Sequence, residues 1–352
     1  MRKNSREYIE WIKRKNTKKI IQRTRKKEKK KRLLTSAIKH DISIKNEKNY
    51  DIKEDRTVFT APSIFSFIEN PEETNEFFIN ILRFISVKRN YRKNIFIDIS
   101  TISKLTTDAL MYLLAIINNL NENFRNSYRI SGNNPMNHNA NKLFEESGFY
   151  RFVRRRDSRA IVQNKDNLQI LAGDKCDYSA AKRVCDFVTE KSGIDNKRKC
   201  SFLYEIITEL MSNTKNHAYN KNDVMLYPNW YCFAQYDGIN TIKFIFMDTG
   251  EGIPSTILKR FLEKIDVLGI KSESDYVISA LNSQFRTSTE LKHRCKGLPR
   301  IRKHCLDSKI DNMTIITNKA NVKVTNKDLQ GEDLINSLQG TLFSWDIDIN
   351  KI

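Results

Sequence analysis

Residues 228–254, PNWYCFAQYDGINTIKFIFMDTGEGIP, constrain the fold more than any other stretch. Two nearly continuous apolar runs flank the turn dipeptide Asp237–Gly238, the pattern of adjacent strands with both faces buried. The second strand is expected to end at Asp248. There Asp248, Gly250 and Gly252 make a D-x-G-x-G turn, in which glycine lets the backbone approach a ligand and the carboxylate can accept a hydrogen bond from an exocyclic amine.

A helix is expected just before this hairpin, over SFLYEIITELMSNTKNHAY, residues 201–219. Leu203, Ile206, Ile207, Leu210 and Met211 fall on one face at helical spacing, while Glu205, Glu209, Asn213 and His217 recur every fourth residue on a polar stripe. A carboxylate one turn before an amide suits a magnesium nucleotide: the amide oxygen completes the octahedral shell, and the carboxylate orients an attacking water or hydroxyl. Alone, E-x-x-x-N recurs by chance on solvent-facing helices. The later sequence adds context, with RCKGLPR (294–300) as a basic turn opening a helix whose free N–H groups could meet phosphate. A last strand, GTLFSWDI, is expected to begin at Gly340 and Thr341.

The preceding half alternates strand and helix, which makes it an α/β unit. VFTAPSIFSF is extended, a helix begins near Pro71, and NIFIDIS is a buried strand. The helix TTDALMYLLAIINNL follows, then the strand SYRISG, Asn133-Asn134-Pro135 and a helix stopped at Gly148. After the basic RRRDSR and a strand pair, YSAAKRVCDFVTEKSG is a helix closed by Gly193.

Charge separates the first residues from the rest. The chain of 352 residues carries a formal +20, and residues 1–32 hold sixteen Lys/Arg against three Glu, or +13, leaving +7 for the remainder. Residues 1–56 therefore read as a basic, helix-prone arm and linker. Residues 1–35 of such an arm suit nucleic acid or an anionic membrane surface, and a solvated extension explains the same composition. The longest apolar run, Ala109–Ile117, falls short of a membrane span, and no apolar segment follows the basic start, so a cytoplasmic protein without a transmembrane segment is expected. The six cysteines show no CxxC spacing, hence neither a zinc ribbon nor a disulfide framework.

Residues 94–153 resemble a STAS domain, the fold of anti-sigma-factor antagonists, through D-I-S at Asp98–Ser100, N-x-P at Asn133–Pro135 and the Ser147-Gly148-Phe149 turn. By that resemblance Thr107 stands where the antagonists carry their phosphorylated Ser. Thr106 replaces the Asp before it, and Asp108 and Ala109 replace the following Ser and Gly. Thr107 is thus a candidate phospho-acceptor or simply a helix N-cap.

Residues from about 178 to 349 resemble the GHKL superfamily of ATP-binding domains, shared by histidine kinases, anti-sigma serine kinases and Hsp90-like chaperones. The resemblance implies a Bergerat-type α/β sandwich with a mixed sheet, binding ATP and Mg2+. It assigns Glu209 as general base, Asn213 as magnesium ligand and Asp248 as the adenine-binding carboxylate. Gly250 and Gly252 form the turn beneath the base, Gly297 belongs to the second glycine box and Thr341 backs the adenine. Residues 283–296 would form a lid with Arg286, Lys292, Arg294 and Lys296 on phosphate. Cys295 stands where that second box has its first glycine, and His217 is either a phosphate contact or part of the pocket wall.

The expected organisation is an arm and linker (1–56), a STAS-like domain (57–165) and a GHKL ATP-binding domain (166–352). Three functions follow: a regulatory ATPase or switch acting on a protein partner, a serine/threonine kinase of anti-sigma type, or a nucleic-acid-associated ATPase. A homodimer is compatible with each.

Overall fold

The computed structural model describes residues 51–53, 56–86, 93–123, 128–153, 164–193, 197–217, 226–227, 229–285 and 297–352. The arm, the RRRDSR segment and Arg286, Lys292, Arg294, Cys295 and Lys296 lie outside them. Residues 50–352 form one compact unit. Among the described residues, no helix is long and apolar enough to cross a membrane.

The first layer is a four-stranded sheet ordered β1–β2–β4–β6, from β1 (Asp51–Lys53), β2 (Arg56–Thr60), β4 (Lys93–Asp98) and β6 (Tyr128–Gly132). β1 runs antiparallel to β2, whereas β2, β4 and β6 are parallel. Their crossovers are α1 (Pro71–Ser86) and α2 (Thr107–Asn123), as parallel pairing requires. The short strands β3 (Ile64–Phe65) and β5 (Lys104–Leu105) pair beside them, and α3 (His138–Glu146) and α4 (Tyr150–Val153) complete this part. The D-I-S and N-x-P motifs bind each other. Asp98 Oδ1 accepts from the Ser100 hydroxyl at 2.6 Å and Asn133 Nδ2 at 2.6 Å, and these bonds hold its carboxyl below the usual range.

The second sheet is ordered β10–β11–β9–β8–β7, from β7 (Asn167–Gly173), β8 (Trp230–Tyr236), β9 (Thr241–Asp248), β10 (Asp311–Val324) and β11 (Leu329–Asp348). All its pairings are antiparallel, which corrects the expected mixed sheet. The reason is connectivity: β8–β9 and β10–β11 are hairpins, and β11 inserts between β10 and β9. The last strand also begins at Leu329, not Gly340, and pairs with a β10 that the sequence reading left out.

Helices α5 (Tyr178–Ser192), α6 (Ser201–His217) and α9 (Gly297–Leu306) pack on one face of this sheet against Cys232, Phe244, Phe246 and Trp345. The opposite face presents Tyr231, Phe233, Ile245, Met247 and Leu342 to α1 and α2. Both faces are therefore buried, which explains runs as apolar as WYCFA and FIFM in an antiparallel sheet that would otherwise alternate. Helix α2 lies between the two sheets and is buried at every position from Ala109 to Ile117. Such a helix must be apolar all round. At about 1.5–3 kcal/mol for each large aliphatic side chain, that burial ties the two sheets into one unit.

Candidate functional site

The site lies where β9 ends. Gly250 N–H donates to Asp248 Oδ1 at 2.8 Å, folding the turn back on the strand that carries it. In register, Asp248 sits between Trp230 of β8 and Thr341 of β11. The Thr341 hydroxyl also bonds Asp248 and lies 3.1 Å from the Thr317 hydroxyl, which receives Ile253 N–H at 2.9 Å. Burial pushes the Asp248 carboxyl up to about 7, against the opposing pull of the Gly250 amide and the Thr341 hydroxyl.

Gly252 caps α7 (Ile253–Leu268) at φ 87, a left-handed value that glycine adopts without strain. A Cβ there would lie 2.7 Å from Asn318 Cγ. Asn318 holds the turn from below, with Nδ2 donating to Glu251 O at 3.0 Å and Oδ1 receiving Ser255 N–H at 3.2 Å. It occupies a break in β10–β11 pairing and itself has φ 51, so an irregularity in the hairpin supplies the support.

Glu209 and Asn213 come to the same place from α6, one turn apart on the edge of its sheet-packing face. Partial burial raises the Glu209 carboxyl; Arg300 opposes the shift and Glu205 adds to it. Gly297, the first residue of α9, is needed because a Cβ would lie 2.6 Å from Glu209 Cγ. Glu205 is not idle surface. It pairs with Arg300 at 3.1 Å and approaches His304 at 3.5 Å, joining α6 to α9.

Together these elements enclose a cavity of about 150 Å³ lined by Glu209, Asn213, Asp248, Gly252, Gly297 and Thr341. Its remaining wall is largely apolar, with Ile257 from α7, Ala280 and Phe285 from α8 (Glu273–Leu281) and the residues after it, Leu210 from α6, Leu298 from α9 and Phe343 from β11. Phe261, at a kink in α7, meets the Phe285 ring with centroids 5.5 Å apart. Glu251 also lines the cavity and is paired with Lys259, while its Oε1 is buried without a hydrogen-bond partner. Among the described residues no group of three or more His, Cys, Asp or Glu side chains is arranged to hold a metal ion. A cation held by one amide would complete its shell from phosphate and water, the usual manner of magnesium.

Six of the sequence-derived site residues thus line one cavity, and Gly250 shapes its floor through Asp248. His217 closes α6, and its side chain lies outside the described residues. Thr107 opens α2, is 9% exposed and does not line the cavity. Beside it, the fully buried Asp108 accepts from Phe67 N–H at 2.7 Å and Ile68 N–H at 3.2 Å. Sequence reasoning missed Thr317, Asn318 and Phe261, and it took in Phe285 only as part of the lid segment 283–296. The run MTIIT before Asn318 carried a strand pattern, whereas nothing local showed that Asn318 would face the glycine turn.

No protein-family model matches the chain, and no curated protein does. Among solved structures, the histidine kinase domain of the blue-light activated histidine kinase from Erythrobacter litoralis EL346 is similar to it at 11% identity and a TM-score of 0.22. The alignment covers 49% of this chain and 61% of that one. Similarity of that degree bears no functional weight, and the case rests on the cavity.

Proposed function

We propose that the chain binds Mg-ATP in this cavity and works as a regulatory ATPase or switch of the GHKL type. One observation supports this above all: Glu209, Asn213, Asp248, Gly252, Gly297 and Thr341, dispersed from α6 to β11, line a single cavity. On this reading Asp248 accepts from the adenine amino group and Thr341 backs it. The carboxyl suits the task, because it lines the cavity and, while the Gly250 amide and the Thr341 hydroxyl hold it in place, its two oxygens have capacity for a further donor. Apolar side chains of α7 face the base. Asn213 contributes its amide oxygen to magnesium, which when bound would neutralise phosphate charge. Glu209, raised by burial, takes a proton from the attacking hydroxyl.

The burial of Thr107 favours water or a partner's hydroxyl as the acceptor over Thr107 itself. Turnover by Glu209→Ala and Asn213→Ala tests these roles. Glu209→Ala should keep ATP and lose about 10²–10⁴-fold in hydrolysis, whereas Asn213→Ala should lose magnesium-dependent binding. Turnover equal to the native rate in both variants rejects the assignment.

A further inference from the structure

The turn that carries Asp248 is held from the other side of the sheet. Thr249, 1% exposed, donates its N–H to Asn229 O at 3.1 Å and its hydroxyl to Tyr227 O at 2.6 Å. On its other side Gln339 Nε2 reaches Thr249 O at 3.4 Å. Next to Gln339, Gly340 packs so closely on the Asp248 carbonyl, at φ 105, that no side chain fits. Two backbone segments, one at Tyr227 and one at Gln339–Gly340, therefore clasp the start of the D-x-G-x-G turn.

Both segments are gripped by α2. The Tyr112 hydroxyl donates to Gln339 O at 3.0 Å, and Asn119 Oδ1 receives Tyr227 N–H at 3.0 Å. These side chains are two turns apart on one helix, and they are 1% and 4% exposed. Helix α1 extends the same seam, with Asn75 Nδ2 on Asn336 O at 2.8 Å and Glu72 Oε1 receiving Ile335 N–H at 2.8 Å. The Glu72 bond is exposed, whereas those from Tyr112 and Asn119 come from buried side chains, and bonds so held fix geometry because an unpaired polar group beside them has reduced access to water.

We infer that Tyr112 and Asn119 are positioning residues for the Asp248–Gly250 turn, so that the N-terminal α/β layer sets the geometry of the base-recognition end of the cavity. The consequence for ligand rests on the nucleotide reading, but the positioning itself does not.

The test uses the full chain with Tyr112→Phe, which keeps the ring contacts to Phe67 and Phe78 and removes only the hydroxyl. Asn119→Ala is the second variant. Amide hydrogen exchange without ligand should quicken about five- to tenfold at Thr249 and Gly250 in Tyr112→Phe and Asn119→Ala, about one hydrogen bond's worth. The amides of Phe244 and Phe246 should stay as in the native chain. ATP affinity should fall by a similar factor while tripolyphosphate affinity is unchanged. Unchanged exchange at Thr249 and Gly250, or equal acceleration of every slow amide, overturns the inference. If the local acceleration occurs but the native chain binds no ATP, positioning stands and the nucleotide reading falls.

Discussion

Helices α2 and α6 have the same length, 17 residues each, and lie on opposite faces of one sheet, yet they share little else. Helix α2 has a sheet on both sides, so it is buried throughout from Ala109 to Ile117, a stretch in which Tyr112 alone carries a hydrogen-bonding side chain. Helix α6 meets one sheet. Leu203, Ile206, Leu210 and Met211 are buried against it, and the stripe of Glu205, Glu209 and Asn213 is left for other uses. A helix enclosed on two sides specifies packing, and one enclosed on a single side can hold a site.

The sharpest break of that contrast is a charge in α2. Leu114→Asp should destabilise the protein by more than about 4 kcal/mol, since a domain of ordinary stability cannot absorb an unpaired buried charge. Circular dichroism should show loss of one cooperative transition for the whole of residues 50–352. Survival of the second sheet's transition would show that the two layers fold separately.

Smaller, and confined to the site, is Gly252→Ala. The left-handed φ and the neighbouring Asn318 should together cost about 1–3 kcal/mol and remove ATP binding. A native melting temperature with native binding would mean that the turn relaxes freely.

Next comes pH. The Asp248 carboxyl is raised in the folded state from its ordinary 3.8 to about 7, so the folded chain holds a proton that the unfolded chain releases. Its contribution to stability is therefore present at low pH and is lost as pH rises from about 4 through about 7. Asp248→Asn, which cannot ionise, should show a shallower fall in melting temperature between pH 5 and 8. ATP affinity of the native chain relative to that variant should move oppositely, rising with pH through about 7 as the acceptor carboxylate forms. Parallel pH profiles for the two chains would remove Asp248 as the titrating group.

The smallest effect is expected at Glu205. Its pairs with Arg300 and His304 are 43% exposed on the Glu205 side, so Glu205→Gln should change stability by no more than about 1 kcal/mol. A larger loss in thermal unfolding would make the α6–α9 junction more than a surface pair.

Much of the site was legible because it is written in local signals. Asp248 ends an apolar run before two glycines, Glu209 and Asn213 keep helical spacing, and Gly297 opens a helix. The strand and helix order of residues 57–153 was readable for the same reason. What could not be read depends on encounters distant in sequence. Asn318 meets Gly252 only because β11 inserts between β10 and β9, and the same insertion makes the sheet antiparallel throughout. The apolar run of α2 was visible as composition, but its meaning required the second sheet. Likewise Asp108 takes the turn at Phe67 and Ile68, an arrangement that sequence spacing of about forty residues gives no hint of.

The central claim, that the cavity beneath α6 receives Mg-ATP with Asp248 on its base, is tested most directly by calorimetric titration of the full chain and of Asp248→Ala. The account predicts saturable binding of one Mg-ATP per native chain and, for the variant, affinity weaker by about 10- to 150-fold, the value of a hydrogen bond to a charged group. Equal affinity in the two chains, or no binding by the native one, would contradict it.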